Sequence, residues 1–235
     1  MQLERILQKH GFGTRKYCRS LIYHQRVAVN GLSCDDPFAD IATDGLVFTV
    51  DGVDWPYAEF ASVLLNKPAG YECSRKPQHH PSVLELLPVQ LRERGVQPIG
   101  RLDEDTTGLL LITDDGQLNH VLSSARRKVP KVYLATVKHG LDPGQIEQLL
   151  AGVLLNDEPE PIAAAAAEIV DDHVLRLTVT EGKYHQVKRM VAAAGNRVEA
   201  LQRVAVGGLQ LPDDLKPGEW RWLSAVDLEK LVKTA

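Results

Sequence analysis

The spacing of apolar residues predicts a chain of short helices and short strands. Near the N-terminus, apolar positions recur every three to four residues in two segments separated by Gly11 and Gly13, which is typical of two helices. Thr14 is placed to cap the second helix through its side-chain oxygen. The apolar face of that helix would consist of Tyr17, Cys18, Leu21 and Ile22.

Two strand pairs are predicted next. Val27–Val29 is followed by Asn30-Gly31, a strong tight-turn pair, and the strand over residues 46–50 is turned by Asp51-Gly52. Two small helices followed by short strands make a first domain over residues 1–55. Pro56 and a change of composition mark a linker over residues 56–61.

The remaining residues, 62–235, predict a larger domain in which strands outnumber helices. The predicted strands cover residues 62–66, 96–99, 108–113, 131–138, 163–170, 173–180 and 197–206. The predicted helices cover 81–87, 117–124, a segment after the cap Asp142, 184–194, and a last segment after the cap Ser224. Because turns join most of the strands, we expect an α+β fold with a largely antiparallel sheet.

The net charge of -4 hides two basic segments. Residues 1–31 hold six Lys or Arg against one acid, and residues 126–139 hold five against none, whereas residues 32–62 hold seven acids and no Lys or Arg. Such clusters are expected where a protein binds a polyanion, although they are also compatible with solvated helix faces. The candidate RNA-binding residues are Arg5, Arg15, Lys16, Arg19, Arg126, Arg127, Lys128 and Lys131.

Several protein classes are not supported. The three cysteines, Cys18, Cys34 and Cys73, have unrelated spacings and predict neither a disulfide framework nor a zinc site. The histidines share no metal-ligand spacing, and phosphate-binding loops, dinucleotide fingerprints and nucleophile elbows are missing from the sequence. Without a long apolar run or a signal peptide, we expect a cytoplasmic protein with no membrane partner. Because the sequence contains no spare apolar helix and no coiled-coil pattern, we expect a monomer.

One stretch, residues 100–113, combines a polar loop with an apolar strand. The loop carries Arg101, Asp103, Glu104 and Asp105, and the apolar half over 108–113 predicts a buried strand. The carboxylates either cap backbone amides of a surface turn or are presented for chemistry at a sheet edge. Composition alone favours the surface turn.

A resemblance changes this balance. Gly-Arg-Leu-Asp at 100–103 with Thr-Thr-Gly-Leu-Leu-Leu-Ile-Thr at 106–113 resembles the catalytic motif of the pseudouridine synthases that act on small-subunit ribosomal RNA. Residues 65–71 and 181–190 resemble two further motifs of the family, in the same order. The likeness covers nearly the whole chain and is nearest to the ribosomal small subunit pseudouridine synthase A group. It implies a cofactor-free isomerase that converts one flipped-out uridine of 16S ribosomal RNA to pseudouridine.

The resemblance also implies roles for individual residues. Asp103 would be the catalytic aspartate acting at the ribose, and Lys188 its cationic partner. Tyr133 would contact the target uracil, with its hydroxyl available for proton loss at C5. The implied substrate-binding residues are Arg101, Lys67, Val187 and Arg189. Two alternatives stay open: Arg101 could form a salt bridge that orders the loop, and Lys67 could support the active-site loop. The first domain, over residues 1–55, resembles the S4 RNA-binding domain.

Two other functions remain open on the residues alone. Asp103, Asp105, Asp114 and Asp115 could surround magnesium in a phosphoesterase or nuclease. A non-catalytic ribosome-assembly factor would bind RNA, or an assembly intermediate of the small subunit, mainly through its S4-like part.

Overall fold

The computed structural model describes residues 1–232, which divide into two compact units. The first unit comprises Met1–Ala61 and Leu87–Val96, and the second comprises Ser62–Leu86 and the chain from Gln97 onward. The excursion of residues 87–96 into the first unit was not predicted. The linker expected over residues 56–61 is also not a free tether, since the backbone N–H of Tyr57 donates to Leu46 and that of Ala58 to the His10 ring.

In the first unit, two helices accompany a small antiparallel sheet. The elements are α1 (Leu3–Lys9), α2 (Arg15–Tyr23), β1 (Val27–Val29), β2 (Leu32–Ser33), β3 (Val47–Val50), β4 (Val53–Pro56) and, in the excursion, α3 (Val89–Glu93). The strands lie in the order β2-β1-β3-β4. Asn30 and Gly31 have φ values of 49° and 81°, as a tight hairpin turn requires. The predicted cap is confirmed, because Thr14 accepts from the Tyr17 N–H, but Tyr17 itself is 52% exposed rather than buried.

The second unit contains the larger sheet. Its strands are β5 (Ser62–Lys67), β6 (Gln97–Pro98), β7 (Thr107–Thr113), β8 (Lys131–Val137), β9 (Ala166–Asp171), β10 (Val174–Val179), β11 (Val198–Val206), β12 (Leu209–Gln210) and β13 (Trp220–Trp222). Its helices are α4 (Gly116–Ser123), α5 (Pro143–Ala151), α6 (Gln186–Ala193) and α7 (Ala225–Val232). The helix predicted over residues 81–87 is only a 3-10 turn, Val83–Leu86, and a second such turn is Ala125–Arg127.

The strand order of the larger sheet is β13-β5-β7-β11-β8-β10-β9, with β12 beside β11 and β6 beside β7. Among the strands of residues 1–232, β7 and β11 alone form a parallel pair. The expected α+β fold with a largely antiparallel sheet is therefore confirmed. The parallel pair matters for the site, because it brings the start of β7 next to the middle of β11.

The core of the second unit lies on β5 and β7. Leu64, Leu109 and Leu111 are fully buried or nearly so and pack with Leu122 of α4 and Leu231 of α7. This packing explains why the apolar half of the central stretch is a strand: its whole length is buried, and it pairs with β5, β6 and β11.

Among the described residues, none of the helices combines the length and the apolar character that a membrane crossing demands.

Candidate active site

The polar loop over residues 100–106 reaches its position because β7 and β11 approach closely at Gly108. This residue has a φ of 99°, and a Cβ added to it would lie 2.3 Å from the carbonyl oxygen of Arg203 on β11. Any larger residue would push the two strands apart. Gly108 therefore fixes where the loop leaves the sheet.

Lys67 holds the loop from the protein interior. Its side chain is fully buried, and its Nζ donates to the carbonyl oxygens of Pro68, Glu104 and Thr106 at 3.0, 2.9 and 2.9 Å. Burial lowers the pKa of this lysine. All three ammonium hydrogens have carbonyl partners, so this geometry favours support of the loop by Lys67 over the predicted contact with substrate.

The other side of the loop forms one wall of a cavity of about 400 Å³ in the second unit. Of the predicted site residues, the cavity is lined by Arg101, Asp103, Lys131, Tyr133, Val187 and Lys188. These residues come from the central loop, from β8 and from α6, and only the fold brings them together. A cavity of this size, enclosed by polar and apolar side chains, is suited to a small planar group such as a base.

Asp103 lies in this cavity with a different partner on each carboxylate oxygen. Its Oδ2 is 3.4 Å from Lys188 Nζ, and its Oδ1 is 3.2 Å from His185 Nε2. The carboxylate is 30% exposed, so it is reachable yet oriented. The predicted pairing of Asp103 with Lys188 is thus present.

Lys188 is shared with a second carboxylate. Its Nζ donates to Asp105 Oδ1 and Oδ2 at 2.6 and 2.8 Å, closer than its approach to Asp103. Burial alone would lower the pKa of Lys188, but the bonds to Asp105 and the charge of Asp103 outweigh it and raise the pKa. The same bonds lower the pKa of Asp105 against the opposing effect of its burial. Lys188 therefore stays a cation at neutral pH.

The back wall is built by a row of residues across three strands. Tyr133 on β8 lies directly opposite Arg203 on β11, which in turn pairs with Gly108 on β7. Tyr133 is 9% exposed, and Arg203 is 3% exposed with its Nε donating to the Leu109 carbonyl. Lys131, two residues before Tyr133, donates to the Val129 carbonyl, and burial lowers its pKa.

The segment before α6 departs from the predicted helix over 184–194. The helix begins at Gln186, since His185 adopts a left-handed conformation with a φ of 47°. Val187 and Lys188 still face the cavity, but Tyr184 does not share a helical face with them. Its ring is instead stacked on His185, with centroids 3.8 Å apart and planes 20° from parallel.

Arg189 is not among the residues that line the cavity. It forms an ion pair with Asp157, and its Nη1 donates to the carbonyl of Tyr184 at 3.0 Å. Its role in binding substrate stays a prediction that this geometry does not favour, because the guanidinium is turned toward an acidic loop and toward the backbone before α6.

Arg101 lies at the cavity and is exposed. Within residues 1–232 it forms no ion pair, so the geometry does not favour the alternative of a structural salt bridge.

The basic residues outside the cavity are mostly exposed. Arg126, Arg127 and Lys128 are exposed on the turn after α4. In the first unit the exposed ones are Arg5, Arg15 and Lys16, whereas Arg19 pairs with the buried Glu4 and stacks over Phe38.

Sequence reasoning missed three contributors to the site: Asp105 as a partner of Lys188, Arg203 in the back wall, and the contact of His185 with Asp103. Arg203 carried a usable signal, because it is a charged residue within an alternating apolar strand. The other two carried none, since nothing local links them to Lys188 or to Asp103.

The four acids considered as magnesium ligands are not grouped. Asp115 caps α4 by accepting from the N–H groups of Gln117 and Leu118, while Asp103 and Asp105 face Lys188. Across residues 1–232, His, Cys, Asp and Glu side chains nowhere form a group of three or more that could hold a metal ion.

Comparisons with known proteins agree on one family. The model of a family described as RNA pseudouridylate synthase matches residues 61–193. The ribosomal small subunit pseudouridine synthase A of Haemophilus influenzae is 35% identical over 233 residues, which cover 99% of this chain and 100% of that protein. Its counterpart in Escherichia coli strain K12 is 43% identical over 169 residues, covering 72% and 73%. A crystal structure described as a pseudouridylate synthase is similar with a TM-score of 0.71 at 34% identity, covering 99% of this chain and all of that one.

Proposed function

The chain belongs to the RNA pseudouridylate synthase family and is an RNA uridine isomerase, and from this premise we propose that it converts one uridine of small-subunit, 16S ribosomal RNA to pseudouridine. The choice of substrate is supported by the relatives named ribosomal small subunit pseudouridine synthase A, which match over most of their length.

The observation that carries the proposal is the environment of Asp103. Its carboxylate faces a base-sized cavity, and each of its oxygens has one partner, Lys188 or His185. A cation beside a carboxylate in a partly enclosed site compensates the hydration that the carboxylate loses there. Asp103 is thus paired with a cation and fixed in direction, as a group that acts on a sugar carbon or its proton must be.

The reaction exchanges one bond for another within the same nucleotide. The bond between ribose C1′ and uracil N1 breaks, the uracil turns, and C1′ joins C5. The proton of C5 is then lost to a base or to solvent, and N1 takes up a proton in its place. Asp103 acts either by attack on C1′ or by removal of the C2′ proton. Tyr133 supplies a ring that contacts the uracil inside the cavity, and Val187 packs against the base.

The uridine has to leave its stack before it can enter the cavity. We propose that the RNA around it is held by phosphate contacts from the first unit, which acts as an S4-like domain, and from the turn after α4. This is supported by the exposed cations Arg5, Arg15 and Lys16 and by the exposed triplet Arg126, Arg127 and Lys128. Binding would therefore weaken with added salt.

The two alternative functions have less support. A phosphoesterase would require acids gathered around a metal ion, whereas Asp103 and Asp105 both pair with Lys188 and Asp115 caps α4. Within residues 1–232, acids, histidines and cysteines form no group of three or more that could hold a metal ion. A purely RNA-binding factor would not require a carboxylate paired with a lysine in a cavity of the second unit, far along the chain from the basic helices.

The decisive experiment is a carbodiimide-based map of pseudouridine in small-subunit ribosomal RNA, free or in an assembly particle, after incubation with the purified protein and a chelator. We expect one newly modified uridine with the wild type. Asp103→Asn should abolish the modification, a loss of at least about 10³-fold, because the amide neither attacks carbon nor accepts a proton.

Glu104→Gln is the matched control. It makes the same change from acid to amide in the same loop, but the Glu104 side chain does not line the cavity, so modification should persist. No modified uridine with the wild type on any of these RNAs would sink the proposal, and modification by Asp103→Asn at the wild-type rate would remove Asp103 from the chemistry.

A further inference from the structure

Tyr184 is the most exposed aromatic side chain at the cavity, and the chemistry described above gives it no task. It lines the cavity mouth and is 73% exposed, whereas Tyr133 in the back wall is 9% exposed. The cavity therefore carries two tyrosines in opposite settings, one inside and one at the rim.

The ring of Tyr184 is not a loose surface side chain. One of its faces lies on the His185 ring at 3.8 Å, and His185 in turn contacts Asp103 through Nε2 at 3.2 Å. Because one face is covered and the residue is largely exposed, the other face of the tyrosine is open. The two stacked rings extend from the Asp103 carboxylate to the solvent.

The backbone of Tyr184 and His185 is also held in place. Arg189 donates to the Tyr184 carbonyl and is itself anchored by Asp157, and His185 has a φ of 47°, which is uncommon for a residue other than glycine. Strained backbone of this kind persists only where surrounding contacts impose it, and it is concentrated at functional sites. The strain here turns two consecutive rings into one stack.

From this geometry we propose that Tyr184 forms a stacking subsite for an RNA base next to the target uridine, an inference that rests on the proposed function. Flipping the uridine into the cavity leaves its neighbour in the strand without a stacking partner. A flat, open aromatic face supplies that partner and tolerates any base, because every base has a π face. Arg101, exposed at the same cavity, offers a cation to the phosphates of this segment.

The test uses the full-length protein and small-subunit ribosomal RNA labelled with tritium at uridine C5, since the C5 proton is released in the reaction. We expect Tyr184→Ala to raise KM by about 5- to 150-fold, the equivalent of one lost base–aromatic stack, and to lower kcat much less. Tyr184→Phe keeps the ring and should stay within about two-fold of the wild type. Tyr184→Leu, which keeps bulk but no ring, should behave like Tyr184→Ala.

A second measurement distinguishes stacking from a structural role. Once the wild type has marked its uridine, RNA fragments of that sequence are made with an abasic residue on either side of it. On the fragment that lacks the stacked base, the effect of Tyr184→Ala on KM should fall below about two-fold, because the contact is already absent.

The outcomes separate the two proposals. Absence of tritium release by the wild type overturns the proposed function. Release by the wild type with an unchanged KM for Tyr184→Ala and Tyr184→Leu overturns the stacking subsite alone. An effect of Tyr184→Ala that is equally large on the intact and on both abasic fragments also overturns it, since such an effect would not depend on a neighbouring base.

Discussion

Two lysines hold the central loop from opposite sides, and they do so by different means. Lys67, on the interior side, is fully buried and, within residues 1–232, donates to main-chain carbonyls alone. Lys188, on the cavity side, is 25% exposed and, in the same part of the chain, pairs with the carboxylates of Asp103 and Asp105 alone. Burial lowers the pKa of Lys67, whereas the carboxylates, acting against burial, raise the pKa of Lys188.

The two lysines therefore control different properties of the loop: the path of its backbone and the charge around its acids. Lys67 determines the path of the loop backbone and is hidden from any substrate. Lys188 determines the electrostatic state of the acids that the loop presents. Lys67 therefore stabilises the loop conformation that brings Asp103 to the cavity, and Lys188 supplies the cation that compensates Asp103 there.

The largest effect is expected from Lys188→Met. Without the shared cation, Asp103 loses the partner of one oxygen and moves from its fixed position, so kcat should fall about 100-fold or more. Because partly exposed ion pairs contribute little to stability, the melting temperature should change by less than about 4 °C. Tritium release and circular dichroism measure the two quantities.

Lys138→Met is the control for this variant, since Lys138 is exposed at the end of β8 and lies outside the cavity. It should match the wild type in both measurements. A kcat of Lys188→Met near that of the control would contradict the role assigned to the cation.

A smaller effect, now on stability, is expected from Lys67→Met. Three carbonyl oxygens lose their donor in the interior, which should lower the free energy of unfolding by about 3 kcal/mol and the melting temperature by about 6–12 °C. Residual folded protein should keep part of its activity. If kcat instead collapsed at an unchanged melting temperature, the comparison of the two lysines would be wrong, and Lys67 would have a chemical role.

The smallest effect concerns Glu72. Its carboxylate accepts hydrogen bonds from backbone N–H groups, whereas the Lys67 ammonium donates to backbone carbonyls. Its carboxylate accepts from His79, Gln78 and His80, and these bonds lower its pKa to about 2. Because the folded pKa lies below the usual value of about 4.5, the stabilisation is present above pH 4.5 and is lost as the pH falls toward 2. Amide exchange measured by NMR should show protection of residues 78–80 disappearing over that range.

Glu72→Gln should remove this pH dependence while the rest of the second unit keeps its protection. Protection of residues 78–80 that stayed constant from pH 5 to 2 in the wild type would contradict the assignment.

Much of the secondary structure could be predicted because its signals are local. The cap at Thr14, the Asn30-Gly31 turn and the helix after Asp142 depend on contacts within a few residues. The buried strand from Gly108 and the alternation along β8, which buries Tyr133, follow from apolar periodicity. Predictions failed where the signal was weak: the short strands β12 and β13 contain two and three residues, and residues 87–96 carry no mark of the unit they join.

The candidate site was also predictable only in part. The motifs indicated Asp103, Tyr133, Val187 and Lys188, and the structure brings all four to one cavity. Arg189 and Lys67 were assigned to substrate, but a motif does not reveal which side chain is already engaged by Asp157 or by buried carbonyls.

The sequence by itself determined the longer elements and their order, the α+β class and the family, because periodicity, capping residues and motifs are properties of neighbouring positions. Only the tertiary structure decided that Lys188 pairs with Asp105 as well as with Asp103, that Arg203 lies opposite Tyr133, and that Tyr184 stacks on His185 at the cavity. The first contact joins residues 83 positions apart, and Arg203 binds a carbonyl 94 positions away. Such contacts depend on how β7, β11 and α6 pack, and packing is set by the whole core rather than by any local pattern.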